Sequence, residues 1–410
     1  MSGALLIRAR DVVTCDTTAS QGDIRFEDLG LIANAAMLVE GGAIAAVGRE
    51  RDVVARAPRD AVEIDACDCT IVPGLVDAHA HPLFAGDREP DFAARVRGAK
   101  ARQGMLHTVE QTRAALADPA AFYACALRPR LHAMLAHGTT TLETKTGYAL
   151  TKGGEFALLD LIAEHRHDND VPWLVSTFLG AHAVPPEFDS AGAYVDYLLR
   201  DCVPWAKEHG AEYADAFCEP GYFSVADARR YLQVARERGL RLRIHCDEMA
   251  DGGAVQMAVK LGVDAVDHCN YIDDAAVAAI VSSDTVLVAC PATIAFLGIE
   301  RHAPVRAILE RGGRVALASD FNPGTSPCFN LQTVAYYGRS LFGMSAAEAL
   351  YGVTRAAAHS LRREAGIIYE GGPADFVALR IDDPREFGWQ FGGNLAKFVV
   401  KGGAVVAGIA

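Results

Sequence analysis

The stretch Ile71–His81, IVPGLVDAHAH, closes an apolar run with His-Ala-His. Residues two apart on a strand point the same way, so His79 and His81 can hold one metal ion between them. Three more side chains of ligand type end later apolar runs: His245 in RIHCDE, His268 in AVDHCN and Asp320 in ALASDFNPG. His245 and Asp320 complete a four-ligand protein set. Imidazole nitrogen and carboxylate oxygen suit Zn²⁺, with Fe²⁺ or Mn²⁺ as alternatives, and a water would complete the coordination. Such a centre points to metal-assisted hydrolysis. His268 can polarise a substrate carbonyl or ligate. Glu248, three residues past His245, can exchange protons with substrate and water, and Asp320 can share that task.

Each assignment has a competitor. Asp320 precedes Asn-Pro-Gly, a turn context, but it also ends the strand-like run VALAS, which favours the ligand. Glu248 could cap the helix expected from about Gly252. A second His-x-His, His165 and His167 in LIAEHRHDND, reads as a helix end, where such residues diverge by about 200°. Its neighbours are charged, so it is assigned to solvent. His107, His132, His137, His209, His302 and His359 read as surface or packed side chains.

These groups need a frame that brings strand ends together. Eight candidate strands run through the middle of the chain: IVPGLVDAH, TTTLETKTG, PWLVSTFLGAH, YADAFCE, LRLRIHCDE, AVDAVDH, TVLVACP and RVALASDF. Helical patterns such as EFALLDLIAEHRH and VADARRYLQVARERG lie between most of them. Alternation with continuous apolar strands predicts an α/β fold, a (β/α)8 TIM-like barrel. A doubly wound open sheet is disfavoured, because no G-x-G-x-x-G follows the first strand. Catalytic groups of such barrels sit at the C-terminal strand ends. His79, His81, Tyr148, His182, Glu219, His245, Glu248, His268 and Asp320 all fall there.

Both chain ends are β-rich instead. LVEGG-AIAAVG predicts a hairpin turning at Gly41 and Gly42. Residues 1–70 plus 366–410 are expected to form one small β-sandwich domain around a barrel spanning 71–365. With 52 Asp and Glu against 39 Lys and Arg, the net charge is −13. That argues against a nucleic-acid or anionic-membrane partner. No apolar run approaches a membrane span and no basic segment precedes the short apolar N-terminus, so a cytoplasmic location is expected. The ten Cys lack paired spacing and read as small buried hydrophobes. Cys246 and Cys269 are expected to point away from the barrel axis.

The motifs PGLVDAHAH, FAGDRE, TRAA, ETKTGYAL, TFLGAHAVP, FCEPGYF, SDFNPG and GGPADFVAL are long and individually unusual. Through them nearly the whole chain resembles the amidohydrolase superfamily, and within it the imidazolonepropionase family. The resemblance implies that His79, His81, His245 and Asp320 bind one Zn²⁺ or Fe²⁺. It implies that His268 assists near the metal and that Glu248 shuttles protons. Arg88, Tyr148, His182 and Asn322 would contact substrate. Many superfamily members bridge two metals with a carbamylated Lys. Here LVSTFLGAH ends in His, and Lys145 lies on an earlier strand, so one metal is expected.

The implied reaction opens a C–N bond of a small cyclic amide, 4-imidazolone-5-propanoate, to N-formimidoyl-glutamate. The alternatives are a related imidazolone or hydantoin-like ring without the propionate, or deamination of a nitrogen heterocycle. A homodimer is also implied. After Gly98 the chain departs from the family: AKARQGMLHTV is several residues shorter and lacks a Tyr that helps hold the propionate. Arg102 is one candidate replacement, with an exposed loop Arg as the alternative.

Overall fold

The computed structural model describes residues 3–100 and 103–408. Arg102 lies outside them. Fifteen strands follow one another along the described chain. Four come first: β1 (Leu5–Val13), β2 (Leu31–Glu40), β3 (Ala43–Arg49) and β4 (Val62–Pro73). Eight follow in the middle: β5 (Leu75–Asp77), β6 (Thr139–Lys145), β7 (Trp173–Ala181), β8 (Tyr213–Cys218), β9 (Arg241–Cys246), β10 (Ala265–His268), β11 (Val286–Ala289) and β12 (Val315–Leu317). Three end it: β13 (Phe376–Leu379), β14 (Ala396–Lys401) and β15 (Ala404–Gly408).

The middle eight pair in sequence order, each parallel to the next. These are the eight expected strands, except that Ile71–Pro73 of the first expected run end β4 and pair with β13 in the other sheet. Their residues are buried on both faces, as in β6 and β8, because the barrel interior covers one face and helices the other. Those helices include Lys152–His165, Val225–Glu237 and Ala254–Leu261. The first and last strands join just beyond their assigned ends. Asp320 N–H donates to His79 C=O at 2.9 Å, and His81 N–H donates to Phe321 C=O at 2.9 Å. The result is a TIM-type barrel.

The strands from both ends form one seven-stranded sheet, ordered β15-β14-β13-β4-β1-β2-β3. Its hydrogen bonding is continuous, but it folds over on itself. Ile7, Met37, Ile64, Phe376 and Phe398, from five different strands, share one apolar cluster. Backbone bonds from Ile44 to the 371–372 turn close the far edge. The β2–β3 hairpin turns at Gly41 and Gly42 with φ of 58° and 86°, the left-handed pair that such a two-residue turn requires. No described helix is long and apolar enough to cross a membrane.

Candidate active site

Closing the barrel assembles the site, because the residues that zip β5 to β12 carry the ligand-type side chains. His245 joins from β9, where the register sets it beside Asp267 of β10 and Phe217 of β8. The Nε2 atoms of His79 and His245 each lie 3.2 Å from His81 Nε2. Asp320 Oδ1 lies 3.5 Å from Nε2 of both His79 and His81. Tetrahedral ligands placed 2.0–2.1 Å from a zinc ion sit about 3.4 Å apart, so these spacings fit a first-row cation.

The protonation states agree. Burial drives His79 and His81 well below the usual imidazole range and brings His245 down to about 4, leaving all three neutral with lone pairs to give. His79 Nδ1 is 2.7 Å from Asp267 Oδ2, which fixes the tautomer with Nε2 facing inward. His245 Nδ1 lies 3.0 Å from Asp215 Oδ2. The chain thus carries a potential His/Asp metal site.

Below these ligands the barrel interior is charged rather than apolar. Lys145 Nζ donates to Glu143 Oε1 and to Asp215 Oδ2, both at 2.8 Å. Arg243 forks onto Asp267 at 2.9–3.1 Å. All five side chains are buried. Asp215 and Asp267 therefore face both ways, holding a ligand histidine on one side and a buried cation on the other. Despite its burial, Asp215 stays well below the usual carboxylate range through His245 and Lys145.

The proton-transfer candidates lie on the next turn out. Glu248 Oε1 is 3.7 Å from His268 Nδ1, and burial lifts the Glu248 carboxyl to about 7. Glu248 caps no helix. Asp247 takes that role, accepting from Gly252 N at 2.7 Å and Val255 N at 3.2 Å. Glu219 clamps the same loop by accepting from Glu248 N at 2.5 Å and Met249 N at 3.2 Å. Burial raises Glu219 to about 7. Asp247, His268, Cys269 and Asp320 all have positive φ, between 49° and 69°. Non-glycine residues there carry strain of about 1–3 kcal/mol each, which clusters at functional sites. Burial, with Glu248 nearby, moves the Asp320 carboxyl up to about 7.

A cavity of about 270 Å³ opens above the histidines and is lined by every expected substrate-contact residue: Arg88, Tyr148, His182 and Asn322. A larger groove of about 860 Å³ on the small sheet lies away from this chemistry. His182 Nδ1 donates to Gly147 C=O at 3.0 Å, so its Nε2 is left as an acceptor, and burial holds the ring neutral with a pKa of about 4. Gly147 has φ of 106°, and a Cβ there would meet His182 Nδ1 at 2.9 Å, so glycine is required. Glu155 fixes the loop bearing Tyr148 by accepting from Gly147, Ala149 and Leu150. The Tyr148 phenol is pushed up by burial and by Asp320, which keeps it a donor. Asn322 spends its side chain on its own turn, with Asp320 C=O, Gly324 N and Thr325 as partners at 2.7–3.0 Å.

His167 is exposed, while His165 stacks on Tyr123 at 3.4 Å and bonds Asp168, so this pair holds nothing in common. Cys246 and Cys269 meet 3.9 Å apart in the surrounding apolar core. Sequence reasoning passed over Asp215, Asp267 and Tyr222, and weighed Lys145 only as a metal bridge. Asp215, Asp267 and Lys145 were signalled as charged residues inside otherwise apolar strands, and Tyr222 by its place three residues past Glu219.

Residues 70–405 match the model of the amidohydrolase family. The imidazolonepropionase of Rubrobacter xylanophilus is 39% identical over 99% of both chains. That of Shewanella amazonensis is 37% identical over 93% of this chain and 95% of its own. Among solved structures, a mutant atrazine chlorohydrolase from Arthrobacter aurescens, complexed with zinc and atraton, superposes with a TM-score of 0.75. It is 18% identical and covers 98% of this chain and 95% of its own, a likeness of fold. An N-isopropylammelide isopropylaminohydrolase from Burkholderia multivorans gives 0.70 at 20% identity, covering 99% and 98%. A barrel with its ligand-type residues at the strand ends, and full-length relatives of one kind, lead to the same place: this chain belongs to the amidohydrolase family.

Proposed function

We propose that this hydrolase opens 4-imidazolone-5-propanoate to N-formimidoyl-glutamate, using one divalent metal, zinc or iron, held by His79, His81, His245 and Asp320. The observation that carries the reading is the convergence of three neutral imidazole nitrogens at 3.2 Å with a carboxylate at 3.5 Å, directly under a cavity sized for a small ring. The full-length relatives named for this activity support the substrate. When bound, the cation supplies Lewis-acid polarisation and makes a water acidic enough to ionise near pH 7.

The chain's own groups do the rest. Glu248, with its carboxyl near 7, takes a proton from the attacking water at neutral pH and returns it to the ring nitrogen as the C–N bond breaks. His268 stands 3.7 Å from that carboxylate and stabilises charge growing on the carbonyl oxygen. His182 Nε2 accepts from a ring N–H, and Tyr148 donates to a ring oxygen or nitrogen. Arg88 is the only Lys or Arg among the described residues lining the cavity, and it faces the propanoate. Asn322 acts through the turn it braces. The same reading assigns 71–365 to the catalytic barrel, residues 1–70 plus 366–410 to one β-domain, and the enzyme to a cytoplasmic homodimer.

The test is metal content and kcat/KM for 4-imidazolone-5-propanoate on the same preparation. We expect about one equivalent of metal per chain and turnover that disappears with its removal. Protein without tightly bound metal, or turnover that survives chelation, would overturn the reading.

A further inference from the structure

The cavity has a buried floor of histidines and a partly exposed mouth. The mouth is where a charged tail must be held, since the floor already contains Glu248 and Asp320. Arg88 sits there. Its Nε donates to Asp91 at 2.5 Å, and Asp91 is its only protein partner among the described residues. The Asp91 carboxylate also accepts from Gln103 N at 2.9 Å and Gly104 N at 3.1 Å, so it ties the shortened loop to the arginine. Gly324 leaves room for the guanidinium, because a Cβ there would come 3.2 Å from its terminal nitrogen. The far end of Arg88 is therefore aimed and available.

A carboxylate has two oxygens and is held best by two donors. Of the described residues in the shortened loop, Gly104 and Met105 reach the cavity wall, and neither has a donor side chain. The second donor comes from the loop after β8. Tyr222 lines the same cavity and is half-buried. Its ring packs on Phe217 at 4.5 Å, and Phe217 in turn touches His182 and His245. Its hydroxyl has no hydrogen-bond partner among the described residues, whereas its backbone N–H is used by Glu219. The phenol feels the charges of both Glu248 and Arg88 and is kept protonated by burial first, so it can donate.

We propose that Tyr222 is a specificity-determining residue that binds the substrate's carboxylate tail together with Arg88. The inference rests on the propanoate reading above. Ring seating and proton transfer belong to other side chains, so the Tyr222 hydroxyl matters only to a substrate with an anionic tail.

The experiment compares kcat/KM for 4-imidazolone-5-propanoate and 5-ethyl-4-imidazolone, whose tail is uncharged, in wild-type and Tyr222→Phe protein, both metal-loaded. Phe keeps the contact with Phe217 and removes one hydroxyl. Loss of a hydrogen bond to a charged group predicts a fall of about 10- to 100-fold for the propanoate, carried by KM, with the ethyl compound unchanged. Equal losses on both compounds would make Tyr222 structural and overturn the inference. So would an unchanged propanoate preference. If wild-type protein itself shows no preference for the propanoate, the substrate reading fails and the inference falls with it.

Discussion

The floor and the mouth of the cavity are built on different principles. On the floor two of the ligand histidines are backed by buried charge. His79 is held by Asp267, which is held by Arg243; His245 lies against Asp215, which is held by Lys145. The backbones of His79, His81 and Asp320 are fixed by the bonds that close the barrel. At the mouth, Arg88 hangs from one carboxylate and Tyr222 from one aromatic contact. The chemistry therefore depends on the barrel, while the choice of substrate depends on loops that can change without disturbing it.

This division predicts a graded set of effects. His81→Ala should remove the central ligand, leave metal content far below one equivalent and cost at least about 10³-fold in turnover; elemental analysis beside kinetics checks it. Metal retained in that variant would break the division at its base. Glu248→Gln should keep the metal and lose about 10²–10⁴-fold in kcat. In the wild type the base must be ionised, so kcat/KM should rise with pH through about 7 and level above it, following the raised carboxyl. The Gln variant should lose that limb in a pH profile.

Lys145→Met probes how the floor is supported. It deletes the cation shared by Glu143 and Asp215, leaving buried carboxylates uncompensated, a change that costs about 3–5 kcal/mol when such a pair is broken. Thermal unfolding at fixed metal concentration should show a large drop in Tm. An unchanged Tm would mean the charged layer is not what braces the ligands. The smallest effect belongs to His167→Ala, which should leave metal content unchanged and alter stability by no more than about 0.5 kcal/mol by chemical denaturation.

The two His-x-His segments also show what a sequence can and cannot convey. Period and context separate them: His79 and His81 end a strand-like run, whereas His165 ends a helix and His167 lies in the turn after it. The barrel was legible for the same reason, since eight apolar runs alternate with helical patterns. The supports of the site were not. Asp215, Asp267 and Lys145 stand out as charges in apolar strands, but the partners that give them their role, His79, Arg243 and each other, lie 24 to 188 positions away, so the sequence marks the residues and not the pairing. Asp247 and Glu248 are neighbours of the same charge, yet one caps a helix and the other faces His268. Which does which depends on the left-handed backbone at Asp247. Tyr222 went unnoticed because only the fold brings it to the cavity that Arg88 reaches from a distant loop.

Ring opening and deamination differ in where the substrate's nitrogen goes, and this floor is read as opening a ring. Mass spectrometry of the product from 4-imidazolone-5-propanoate, with ammonia measured in the same reaction, tests it most directly. We predict N-formimidoyl-glutamate with all substrate nitrogen retained and no free ammonia. Stoichiometric ammonia release, or recovery of the unopened ring, would contradict the account.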